Sequence, residues 1–68
     1  MDPKRAAAVM LQLLHDGNNK LASVAIYVDA VRTGDEALSA LDEARVSLTE
    51  AVAIYRQVAS ICKALGPS

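Results

Sequence analysis

Residues 13–21 read LLHDGNNKL, and the fold turns on how that stretch is taken. A glycine in a helix interior costs roughly 1 kcal/mol against alanine, and neighbouring asparagines add to the cost. Taken as a loop, the stretch splits the N-terminal half and gives three helices. Taken as helix, it leaves two long ones. Leu14 and Leu21 stand seven residues apart, so the apolar stripe stays in phase across Gly17, and a loop would break that phase. The stretch therefore reads as continuous helix, with His15, Asp16, Gly17, Asn18 and Asn19 as a local exception kept for a site.

Working outward, Asp2-Pro3 is a helix start: aspartate caps the free amides and proline fits the first turn. Leu11, Leu14, Leu21, Ala25 and Val28 then recur at steps that sum threes and fours, as on a helix packed against helices. Gly34 fits a C-cap, and Asp35 can cap the helix that follows. From Glu36 to Leu65 there is no glycine or proline. Leu41, Leu48, Tyr55 and Cys62 repeat every seven residues, with Leu38, Val52 and Ala59 on the alternate steps. Gly66-Pro67-Ser68 ends the helix. The expectation is an all-α, single-domain chain over 1–68: an antiparallel hairpin with a helix over about 3–33, a turn at about 34–35 and a helix over about 36–65. Each helix would run about 45 Å.

A chain of 68 residues supports one domain, and at this size a core usually needs a disulfide, a metal or a partner chain. The single cysteine, Cys62, rules out an intrachain disulfide, and no His/Cys cluster has metal-ligand spacing. Apolar residues make up 53% of the chain, a high share for a polar-surfaced monomer. Both stripes are wider than one partner helix can cover: Leu13, Val24 and Val31 flank the first, and Ala44, Ala51, Val58 and Leu65 flank the second. Two hairpins in a twofold four-helix bundle would bury them. Leu14, Leu21, Val28, Leu41, Leu48 and Val52 are the expected dimer core. The formal net charge of −1 favours neither nucleic acid nor an anionic membrane. No apolar run approaches the roughly 20 residues of a membrane span. A free thiol without an export signal points to the cytoplasm.

On a continuous helix His15, Asn19, Ala22 and Ile26 form a strip beside the apolar line, one above another. Asn18 falls on the line itself, as part of a site or as a polar residue that fixes register. The strip has the chemistry of a phosphoryl acceptor. A neutral imidazole has a lone pair that can attack phosphorus. A carboxylate on the other ring nitrogen stabilises the charge that develops, and an amide one turn along can orient a phosphoryl group or a water.

Here the chain resembles a family. LLHDGNNKLASVAIYVDAV, residues 13–31, is similar to the phosphoacceptor box of the dimerisation and histidine-phosphotransfer domain of sensor histidine kinases. A common form of that box reads His-Asp-Phe-Asn-Asn-Leu-Leu, and His15, Asp16, Asn18, Asn19, Leu21 and Ile26 match it. ALDEARVSLTEAVAIYRQ, residues 40–57, is similar to the Ala-x-Arg-x-x-x-Leu-Thr stretch that follows, through Ala44, Arg45, Leu48 and Thr49 at slightly different spacing. The resemblance implies that His15 is the phosphorylated nucleophile, Asp16 its acid/base partner and Asn19 the residue of transfer and phosphatase chemistry. It also implies a homodimer that meets a kinase ATP-binding domain, in cis or in trans, and a response-regulator receiver domain. This chain has no glycine-rich phosphate loop, so it would bind no cofactor itself; ATP and Mg would belong to a separate kinase domain. Gly17 stands where the family has a large apolar residue, and Lys20 where leucine or proline is common. These departures suggest a looser helix at Gly17 and a charge from Lys20 near the phosphoryl group; they also fit a site that has lost activity.

An antiparallel turn at Gly34 sets Val52 to Arg56 opposite His15, so Tyr55 and Arg56 should border the phosphoacceptor. A receiver would then dock between Ile26 and the Thr49 region. Tyr27 and Tyr55 read as core-edge rings with wet hydroxyls, Cys62 as a buried small residue, and Arg45 and Arg56 as solvated or paired with acids of the facing helix. The competing reading is a non-catalytic dimeric adaptor or accessory subunit, indifferent to His15.

Overall fold

The computed structural model describes residues 2–34 and 37–66. They form two helices, α1 (Pro3–Arg32) and α2 (Ala37–Leu65), laid side by side in a hairpin of 48 × 18 × 12 Å. Helix α1 begins as its sequence dictates. The Asp2 carboxylate accepts from the Lys4 amide at 3.3 Å, and Pro3 occupies the first turn. It ends at Thr33, whose amide donates to the Asp29 carbonyl, and at Gly34, whose amide donates to Val31. Gly34 has φ 89°, a left-handed conformation that glycine adopts without penalty. The proposed cap at Asp35 lies outside the described residues. The helix runs through Gly17 without interruption, so the choice of two helices over three holds.

The face between the helices corrects the sequence reading. Among the less exposed positions of α1, Met10, Leu13, Gly17, Lys20, Val24, Tyr27 and Val31 form one row spaced alternately three and four. On α2 the matching row is Ala40, Ala44, Ser47, Ala51, Ile54, Val58, Ile61 and Leu65. The residues expected to flank the stripes thus form the seam. The leucines read as the seam face outward: Leu11 is 69% exposed, Leu38 85% and Leu41 50%. Both rows share one heptad period, and closeness decides between them. Two helices approach furthest where side chains are small, so the alanines, Ser47 and Gly17 go inside.

That seam is a thin core. Ala6, Ala40, Ala44 and Ala51 are the buried apolar residues, and among the described residues no large side chain is fully buried. Full burial of a leucine or valine is worth about 1.5–3 kcal/mol, and here none yields all of it. Polar contacts add little. Lys20 and Glu50 pair across the hairpin at 3.3 Å with both side chains well exposed, a kind of pair worth about 0–1 kcal/mol. Arg45 pairs with Asp42 of its own helix at 3.0 Å rather than with the facing one.

Candidate functional site

The HDGNN stretch divides into an inner and an outer half. Gly17 is buried in the seam, beneath the ring of Tyr55. A Cβ added there would lie 2.9 Å from Tyr55 Cζ and 3.1 Å from its Cε1 and hydroxyl, closer than side-chain carbons come. The glycine is therefore a docking slot for the tyrosine ring, not a looseness in the helix. The Tyr55 hydroxyl donates to Asn18 Oδ1 at 2.9 Å, so it is tied down rather than merely wet. These contacts set Tyr55 level with Gly17 and Asn18 of the HDGNN stretch.

The outer half is His15 and Asn19, both exposed, with Ala22 and Ile26 exposed above them. By helix geometry His15 points away from the seam, about half a turn round from Leu13 and Gly17. Among the described residues its ring makes no hydrogen bond. Asp16 is half-buried, and its Oδ1 accepts from Gln12 Nε2 at 3.1 Å. The carboxylate is thus held on the helix surface by a residue one turn back, and among the described residues its second oxygen makes no hydrogen bond. The Asn19 backbone carbonyl accepts from Ser23 Oγ at 3.2 Å; the residue is exposed, and among the described residues its side-chain amide makes no hydrogen bond. Lys20 lies on the seam side with its ammonium on Glu50, so its charge serves the hairpin instead of the face that carries His15.

On α2, Arg56 is exposed and lines a shallow open depression with Leu48, Thr49, Val52 and Ala53. That depression joins two expected partner residues, Thr49 and Arg56, to two expected dimer residues, Leu48 and Val52. The Thr49 hydroxyl donates to the Arg45 carbonyl at 2.9 Å, so its proton is already used within α2. Cys62 is exposed, contrary to the expected burial, with its Sγ 3.5 Å from Met10 Sδ. It stands on the row of Leu41 and Leu48, which faces out of the hairpin rather than into it.

Sequence reasoning missed Gln12, which holds Asp16, and the reason for Gly17. The signal for the second was available: the turn position sets the largest side chain of α2 level with the smallest of α1. Among the described residues no group of His, Cys, Asp and Glu could hold a metal ion, and no helix is long and apolar enough to cross a membrane. No protein-family model, no curated protein and no solved structure matches this chain.

Proposed function

We propose that the chain is a dimeric phosphotransfer module of two-component signalling. His15 accepts a phosphoryl group from the ATP-binding domain of a histidine kinase, in cis or in trans, and passes it to an aspartate of a receiver domain. The observation that carries this reading is the placement of His15. It is exposed, unbonded, directed away from the seam, and one turn from the free amide of Asn19. A ring nitrogen lone pair forms the N–P bond as the bond from the γ-phosphorus to the bridging oxygen breaks, and ADP leaves with that electron pair. Asp16, the next residue along, has one carboxylate oxygen outside its bond to Gln12, and in this reading that oxygen takes the proton of the other nitrogen. In the second step a receiver carboxylate attacks phosphorus, and the imidazole departs with the N–P electrons as its other nitrogen takes the proton back from Asp16.

The proposal includes a homodimeric four-helix bundle in the cytoplasm. Leu14, Leu21, Val28, Leu41, Leu48 and Val52 form the buried face between two copies. Exposure supports it. The chain exposes 5086 Å² at 7.2 kDa, against about 4,100 Å² for a compact monomer of that mass. The excess is on the order of 1,000 Å², comparable to the roughly 800 Å² each partner buries in a standard interface.

The test is transfer in both directions. His15→Gln should lose label from the kinase and transfer to the receiver while keeping its helix content and dimer. Ile26→Glu should keep the label and the dimer, and slow transfer to the receiver about tenfold or more, because Ile26 is 68% exposed and would serve as a recognition contact. A second reading, a dimeric adaptor without chemistry, is favoured by one observation: Tyr55 accounts for Gly17 and Asn18 by packing alone. Full function with glutamine at position 15 would establish it in place of phosphotransfer.

A further inference from the structure

Asn18 interrupts the apolar strip that the hairpin leaves uncovered. It lies four residues after Leu14 and three before Leu21, which are 36% and 41% exposed. Tyr55 stands in the corresponding row of α2, three residues after Val52. A primary amide has one acceptor and two donor hydrogens. The acceptor of Asn18 is taken by Tyr55 at 2.9 Å; the two donors make no hydrogen bond among the described residues. A polar pair with spare donors thus sits amid leucine and valine on the face that most needs cover.

We infer that the Asn18–Tyr55 pair fixes the register in which two copies of this hairpin associate, the spare amide donors of each pairing with the Asn18 or Tyr55 oxygen of the other. The inference rests on the dimeric part of the proposed function and is independent of phosphoryl transfer. Its occupant is a second copy, for the reasons already given: a thin core and an excess of exposed area matched to one interface. Position adds a further reason. Asn18 stands at the middle of α1, which spans Pro3–Arg32. A twofold axis along the bundle, or one through its middle, therefore brings both pairs into a single layer. Slippage by one heptad would set each amide against leucine or valine and leave its donors unpaired in a dry seam, which strongly disfavours that register. A single polar residue at such a position specifies register and copy number at some cost in stability.

The test uses the whole chain. Sedimentation equilibrium gives the copy number. A nitroxide on Lys63→Cys, in a Cys62→Ala background, gives the distance between copies by pulsed electron spin resonance. The native pair should give a dimer with one distance. Asn18→Leu should melt at higher temperature and lose the single distance, showing several distances or larger assemblies. Tyr55→Phe keeps the ring on Gly17 and should broaden the distances without dissociating the dimer. If Asn18→Leu keeps one dimer at the native distance, or dissociates, the pair does not set register. A monomer with the native pair in the same runs would overturn the dimer itself.

Discussion

Leucine in place of Gly17 is expected to destabilise the folded protein by about 2–4 kcal/mol, measured by urea unfolding at fixed protomer concentration. The side chain would occupy the volume of the Tyr55 ring, whose Cζ is 2.9 Å from where even a Cβ would begin. Tyr55 would have to leave the slot and give up its bond to Asn18. Alanine at position 17 separates the causes. It gains about 1 kcal/mol of helix propensity over glycine and displaces the end of the ring, so its net effect should be near zero. In a Tyr55→Ala background the ring is gone, and the same Gly17→Ala change should stabilise by about 1 kcal/mol. An equal effect in both backgrounds would contradict the account of this glycine.

The second large effect is at Leu48, which is 47% exposed in the hairpin. Were the hairpin the whole molecule, Leu48→Glu would shift stability by no more than about 0.5 kcal/mol. In the proposed bundle it buries a carboxylate from each copy at one apolar face, at a cost of several kcal/mol. The expected result is loss of the dimer by sedimentation, with loss of helical circular dichroism at concentrations where the native protein is folded. Because the hairpin core is so thin, dissociation and unfolding should coincide. A folded dimer carrying Leu48→Glu would remove this face from the interface.

The residues that made the fold legible were those with local consequences. Asp2, Pro3 and Gly34 mark ends by capping chemistry, and the seven-residue step from Leu14 to Leu21 carries the helix across Gly17. What periodicity could not decide was which of two parallel rows turns inward. The eye goes to leucine because leucine burial is worth most, yet closest approach belongs to the small side chains, so Ala40, Ala44, Ser47 and Ala51 line the seam. At the candidate site, the exposure of His15 and Asn19 was legible, because it follows from their angle on the helix. Gly17 was not, because its reason lies on the other helix: the Tyr55 ring fills the space where a side chain at position 17 would stand. The charge read into Lys20 was likewise claimed by a partner out of sequence range, Glu50.

The central claim concerns one nitrogen of one side chain, and an intact-mass measurement addresses it. The chain is incubated with ATP, Mg and the ATP-binding domains of histidine kinases, then held at alkaline or acidic pH before measurement. Phosphotransfer predicts a gain of one phosphoryl group that survives alkali, disappears in acid and is absent from His15→Gln. An unchanged mass with every kinase domain, from a chain that remains a folded dimer, would contradict it and leave His15 a solvated side chain on an interaction module.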